Sequence, residues 1–187
     1  MLQLPITDLP ALYESWTALT VCAALVERGE VLAQQLCAPL EEGWTLRLQR
    51  DRPILKIRRG GRVLLLRYQP RYEPYAGLGS SFGSLDRYLR IPDLSIEVRG
   101  RGERWLAVLD AKYRLAPDDH PPQDALDDIY AYKGSLGQKG VPLVRYAALL
   151  YPGHGLGEDY GGIGALPHLP GHTNALQAAL DRLLNGS

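Results

Sequence analysis

The sequence predicts an α/β domain, on three observations. Helical stretches open and close the chain. Short strands fill its middle, punctuated by glycine-rich turns, and one strand–helix–strand run over residues 105–151 has the order of a right-handed parallel crossover. With 187 residues, 45% of them hydrophobic and 22% charged, the chain suits one domain with a substantial core. Net charge is zero, so no global field favours a polyanionic partner. Two cysteines, Cys22 and Cys37, make no disulfide framework, and their apolar contexts read as small core residues. Met1–Pro5 lacks the basic start and apolar run of a signal peptide. No apolar stretch reads as membrane-spanning, and a reducing, cytoplasmic setting is expected.

The first helix is expected from Asp8, an N-cap followed by Pro10, to about Glu27. Leu9, Leu12, Trp16, Leu19, Ala23 and Val26 make one stripe, read as the buried one. A second row is Glu14, Ala18, Val21 and Leu25, in which Glu14 is the odd member. A carboxylate near a helix start can answer the helix dipole, or on a core-facing row can point at a cation; the second reading is preferred here.

Thr45–Arg50, Ile54–Arg58 and Val63–Tyr68 read as an antiparallel meander, the last two joined by the tight turn Arg59-Gly60-Gly61-Arg62. This stretch holds nine basic residues, Arg47, Arg50, Arg52, Lys56, Arg58, Arg59, Arg62, Arg67 and Arg71, against Asp51 alone. It reads either as a phosphate-facing surface or as a solvated hairpin. Gln69–Ser84, rich in Pro, Gly, Tyr and Ser, reads as a loop.

Two strands then carry charge where apolar runs should continue. Ile91–Val98 contains Asp93; Trp105–Tyr113 contains Asp110 and Lys112, with a hairpin turn at Arg99–Glu103 between them. Side chains alternate along a strand, so Leu106, Val108, Asp110 and Lys112 share one face and Ala107, Leu109 and Ala111 the other. A carboxylate and an ammonium on a face of Leu and Val are costly unless paired or bound to a metal. Two carboxylates converging from neighbouring strands suit a hard divalent cation such as Mg²⁺, and a lysine beside them can orient water or neutralise charge developing on phosphate. The combination points to metal-assisted phosphodiester hydrolysis.

A polar loop, Ala116–Pro122, leads to a helix over Gln123–Leu136 with Ala125, Asp128 or Ile129, Tyr132 and Leu136 on one face. The acidic run Asp118, Asp119, Asp124, Asp127 and Asp128 reads as loop solvation and helix N-terminal charge, although Asp128 and Tyr132 also suit contact with the lysine or a phosphate. Pro142 opens the strand Leu143–Tyr151, Gly153–Gly164 reads as a glycine-rich loop, and a last helix runs from Thr173 to Leu184. The Gly153–Gly157 segment has no Walker lysine, His168 and His172 are separated by Pro170-Gly171, and Ser80, Ser81 and Ser84 have no histidine partner, so nucleotide, zinc and triad chemistry are set aside.

Pro92-Asp93 followed by Asp110-Ala111-Lys112 resembles the PD-(D/E)xK nuclease superfamily. Leu12-Tyr13-Glu14-Ser15-Trp16, Arg90-Ile91-Pro92-Asp93, Leu109 to Arg114, Asp128 to Tyr132 and Leu150-Tyr151-Pro152-Gly153 together resemble the nuclease domain of McrC-like restriction-associated proteins, over about Leu12 to Gly153. The resemblance implies a restriction-endonuclease-like core, a central mixed sheet flanked by helices, and Mg²⁺-dependent cleavage of DNA, with Mn²⁺ able to substitute. It implies metal ligation by Asp93, Asp110 and the Ala111 carbonyl, an assisting helix-borne acid at Glu14, directly or through water, and Lys112 as the residue that positions or activates water. Asp128 and Tyr132 fall in an auxiliary block, and Arg47, Arg58, Arg59, Arg62, Arg67 and Arg71 are DNA-contact candidates. It also implies a partner, an AAA+ NTPase of McrB-like type or another recognition subunit. McrC-like proteins usually carry a preceding domain for that motor; residues 1–187 are expected to be a single nuclease domain, excised from a longer protein or standing alone. Two other functions remain open, a repair or recombination nuclease of the same superfamily and a catalytically silent nucleic-acid-binding module. Intact Asp93, Asp110 and Lys112 argue against the silent one, and preference among DNA forms separates the nucleases.

Overall fold

The computed structural model describes residues 8–40, 43–100, 102–116 and 120–185. Arg101 of the predicted hairpin turn, Asp118 and Asp119 of the acidic run, and Met1–Pro5, read as lacking a signal peptide, lie outside the described residues. In chain order the elements are α1 (Leu9–Arg28), β1 (Glu30–Gln34), β2 (Cys37–Leu40), β3 (Gly43–Leu46), β4 (Pro53–Arg59), β5 (Arg62–Tyr68), β6 (Gly83–Ser84), β7 (Leu94–Gly100) and β8 (Glu103–Ala111). They continue with α2 (Gln123–Ser135), β9 (Leu136–Gln138), β10 (Val141–Pro142), β11 (Val144–Tyr151), β12 (Glu158–Asp159), β13 (Ile163–Pro167) and α3 (Asn174–Asn185).

One mixed sheet of eight strands organises the chain, in the order β1-β4-β5-β7-β8-β11-β13-β12. From β1 to β8 neighbours are antiparallel; β11 is parallel to both β8 and β13. The β8–α2–β11 crossover therefore returns parallel, as the sequence order requires. The turn between β4 and β5 places Gly60 and Gly61 at φ 54° and 77°, the pair of positive angles that a two-residue hairpin needs. Two cores sandwich the sheet. On one face α1 and α3 cover Ile57, Leu64, Leu66, Ile96, Val98, Ala107 and Leu109. On the other, Ala125, Ile129 and Tyr132 of α2 meet Leu106, Val108, Ala147 and Leu149. The alternation read along β8 thus separates its residues between two cores.

Several sequence expectations are corrected. The buried side of α1 is Tyr13, Thr17, Ala18, Val21, Cys22, Ala24 and Leu25, whereas Leu9, Leu12 and Val26 are 47%, 48% and 46% exposed. The helix is apolar nearly all round, so periodicity allowed two stripes and the sheet chose the other one. Contrary to the expectation from sequence, α1 is by length and composition apolar enough to cross a membrane. In this fold, its Ala18, Val21 and Leu25 are buried in the core. The predicted strand Thr45–Arg50 ends at Leu46; Arg47 and Arg50 are exposed, with Arg50 in an isolated bridge to Tyr68. Its alternation has no partner edge to hold it beyond β2. Cys37 is exposed, since β2 belongs to a separate two-stranded sheet, while Cys22 is buried and its thiol pushed up to about 12 by that burial. The end of the predicted glycine-rich loop is strand β13, fully buried beside β11.

Candidate active site

The site forms where β7 begins and β8 ends. Leu94 lies opposite Leu109, which brings Asp93, one residue before β7, opposite Asp110. The two are tied reciprocally through the backbone. The Ala111 N–H donates to Asp93 Oδ2 at 2.8 Å, and the Asp93 N–H reaches Asp110 Oδ1 at 3.4 Å. Both carboxyls are buried, Asp93 being 8% exposed and Asp110 1%. Burial first, and then the Asp110 charge, push Asp93 up to about 7. Burial also raises Asp110, against the pull of Lys112.

Lys112 follows β8 directly, and its Nζ lies 2.8 Å from Asp110 Oδ2 and 3.8 Å from Asp128 Oδ2 on α2. Burial alone would lower this ammonium, but Asp110, Asp93 and Asp128 outweigh it and the net shift is upward. Lys112 is therefore a held cation at neutral pH. Tyr132, one turn after Asp128, donates to the Ile91 carbonyl at 3.4 Å and braces the segment that delivers Asp93. Burial foremost, then Asp110, Asp128 and Asp93, raise its phenol.

Glu14 comes from the opposite core. It is half-buried, and its carboxyl is raised by burial and then by Asp110. No acidic residue stands in the first turn of α1, so the helix-dipole account of Glu14 does not apply. Its hydrogen-bond partner is Gln69, whose Nε2 donates to Glu14 Oε2 at 3.2 Å while its backbone N–H donates to the Asp93 carbonyl at 2.7 Å. Gln69 thus links the helix acid to the strand acid, from a left-handed backbone conformation at φ 43° that costs a residue other than glycine. Sequence reading placed Gln69 at the start of a loop and missed it; its sole sequence signal is a polar residue between a strand end and Pro70. Beside Glu14, the Tyr13 hydroxyl donates to the His168 carbonyl at 2.7 Å and Trp16 stacks on the His168 ring at 4.3 Å. That fixes the rotation of α1 and hence the bearing of Glu14.

Not every candidate arrives here. Arg59 donates to the Arg28 carbonyl and to Asn185 Oδ1, each at 2.9 Å, and with Arg62 it lines a crevice against Leu183 and Leu184 of α3. Arg58 pairs with Glu30 at 3.2 Å and Arg71 with Glu73 at 3.2 Å. The basic segment is therefore divided between both faces of the sheet and is not one surface, because successive strand residues point opposite ways.

Two carboxyls raised by burial, Asp93 further by the Asp110 charge, with Glu14 close enough to be raised by Asp110 too, form a hard-oxygen donor set that a divalent cation would relieve. Among the described residues no group of three His, Cys, Asp or Glu side chains is poised around one metal position; the tied pair is Asp93 and Asp110, and Glu14 is joined to it through Gln69. Backbone-locked aspartates at a sheet end, with a charged lysine two residues on, define a class of proteins that gather acidic oxygens and an ammonium around a phosphate. The chain belongs to the PD-(D/E)XK nuclease superfamily, whose family model matches residues 11–156. Its mixed sheet and three helices are an α/β restriction-endonuclease-like fold. Searches of curated proteins and of solved structures gave no match.

Proposed function

We propose that this protein is a Mg²⁺-dependent DNA endonuclease, with Mn²⁺ able to substitute. We further propose that it is the cleavage module of a prokaryotic restriction or defence system, acting in the cytoplasm with an AAA+ NTPase motor or another recognition subunit. The observation that carries the nuclease reading is the locked pair Asp93–Asp110 with Lys112 2.8 Å from Asp110. The resemblance of the blocks around Glu14, Asp110 and Tyr151 to McrC-like proteins supports the restriction setting.

On this reading Asp93, Asp110 and the Ala111 carbonyl would hold the cation, with Glu14 acting directly or through water. The bound cation supplies Lewis acidity toward the scissile phosphate and a lowered water pKa. Lys112, held as an ammonium by Asp110, would donate hydrogen bonds to the attacking water or to a phosphoryl oxygen. Asp128 limits where that ammonium swings. Phosphodiester hydrolysis requires a barrier reduction of order ~20 kcal/mol, so positioning and charge stabilisation must act together.

A cleavage assay on linear duplex, branched and single-stranded DNA, with Mg²⁺ or Mn²⁺ and any motor partner supplied, tests the reading. Cleavage should need the metal and disappear in Lys112→Ala. Equal cleavage in EDTA would overturn it.

A further inference from the structure

On the α2 side of the sheet, Tyr72 and Phe82 of the segment after β5 cover Ser95, Leu106 and Val108, the Tyr72 hydroxyl donating to Ser95 Oγ at 2.8 Å, and the basic side chains of β4, β5 and β7 stand along the edge of this cover. α2 packs on β8, β11 and β13, while on that same face of β4, β5 and β7 Arg58 and Arg99 are exposed and Lys56, Val63, Leu65 and Arg67 are half-buried. The opposite face of these strands is sealed by the α1–α3 core.

The register orders this face into rows. Arg58, Val63, Arg99 and Arg104 lie side by side across β4, β5, β7 and β8. The next row is Lys56, Leu65, Glu97 and Leu106, then Arg67, Ser95 and Val108, and then Asp93 and Asp110. The catalytic pair and the arginine row therefore share one face, six residues apart, which at strand rise is about 20 Å. Four strands about 4.8 Å apart make the face ~14 Å wide before side chains are added.

Its charge is net positive. Six cations, Lys56, Arg58, Arg67, Arg71, Arg99 and Arg104, meet four acids, Glu30 and Glu73, which pair with Arg58 and Arg71, Asp51 of the same groove, and Glu97. Glu97 is 3% exposed and binds the Arg99 Nε at 2.5 Å and the Arg104 Nε at 2.6 Å. Burying a carboxylate beneath two half-exposed guanidiniums is costly and fixes their direction, whereas a merely solvated face leaves its arginines loose. Arg104 also lies over the Phe82 ring at 4.4 Å. Arg67, Arg71, Arg99 and Arg104 together border a groove of about 260 Å³ between the sheet and the segment after β5.

We propose that this face seats the duplex DNA flanking the cut, with the phosphodiester backbone running from Asp93–Asp110 past Arg67 to Arg99 and Arg104. The span of about 20 Å corresponds to about six base pairs at 3.4 Å each. Guanidiniums meeting phosphates fix position without reading sequence, which leaves sequence choice to a partner. The inference rests on the nuclease reading for where the cut falls, but binding is measured apart from cleavage.

Affinity for a long labelled duplex is titrated against salt in EDTA. Arg67→Gln, Arg99→Gln and Arg104→Gln should each weaken binding several-fold and lower the slope of log K against log salt by about 0.9. Arg182→Gln, an exposed arginine on α3 behind the sheet, should leave both unchanged. Arg67 makes no bond to Glu97, so its variant keeps the test alive if the other two unfold. Unchanged slopes in Arg67→Gln and Arg99→Gln, or an equal loss in Arg182→Gln, would overturn the proposal. Failure of cleavage in Mg²⁺ with these slopes as expected would instead overturn the nuclease reading and leave the seat standing.

Discussion

Asp93 shows what a single buried carboxyl does to the molecule. Its value of about 7 in the fold stands above 3.8, its ordinary value, chiefly through burial and then the Asp110 charge. Between those two pH values the folded chain holds a proton that the unfolded chain has released. Its contribution to stability is therefore intact below about pH 4, declines as pH rises toward 7, and is lost above 7. Asp93→Asn should keep the acceptor for the Ala111 N–H and remove the charge, so that without metal the variant melts higher than wild type at pH 8 and alike at pH 4. Thermal melts at the two pH values check this, and a variant that melts lower at pH 8 would contradict it. A divalent cation competes with the same proton, so the melting gain on adding Mg²⁺ should grow as pH is raised through 7. Glu14 offers a second test at this scale. Its carboxylate is presented by Gln69 and senses Asp110. Glu14→Gln should weaken metal dependence or activity by ~10–100-fold if it acts beside the cation. Metal titration of the cleavage rate reads that directly, and an unchanged titration would return Glu14 to a structural role.

At the scale of elements, legibility followed polarity. Asp110 and Lys112 stood out in the sequence because their strand face is otherwise Leu and Val, and the alternation that singled them out is the one that divides β8 between two cores. Asp8 capping Ala11 at 3.1 Å and Gly60-Gly61 turning the hairpin were legible for the same reason, since each does a job few residues do. α1 was not, because Leu9, Leu12 and Val26 look as buried as Val21 and Leu25 until the sheet is present. The short strand β13 hid among glycines, and the contact of Tyr13 with His168 spans 155 residues, beyond any local pattern. Two substitutions separate the faces of α1. Leu25→Ala, at 1% exposure, should cost ~2–5 kcal/mol by leaving a cavity. Leu12→Ser, on the exposed side, should stay within ~0.5 kcal/mol. Denaturant unfolding of both variants measures the difference, and equal losses would mean that the α1 row was assigned correctly from sequence after all.

For the whole molecule, β8 is the strand on which everything converges. It joins the antiparallel half of the sheet at β7 to the parallel half at β11, is covered on both faces, and carries the acid Asp110 at its end with Lys112 directly after it. A metal bound at that end would act on the most protected part of the fold. The β2–β3 hairpin is a separate two-stranded sheet, and its Cys37 and Leu46 are exposed. Amides of Val108, Leu109, Leu149 and Leu150 should therefore exchange with solvent only through global unfolding, while those of β2 and β3 open locally. A ligand that binds the folded state alone at about 100 times its dissociation constant adds about 2.7 kcal/mol of stability. Saturating Mg²⁺ should then slow exchange at the β8 and β11 amides by about 100-fold, all by the same factor, and leave β2 and β3 unchanged. Slowing confined to the residues next to Asp93 and Asp110 would show that the cation closes a local opening there and leaves the stability of the sheet as a whole where it was.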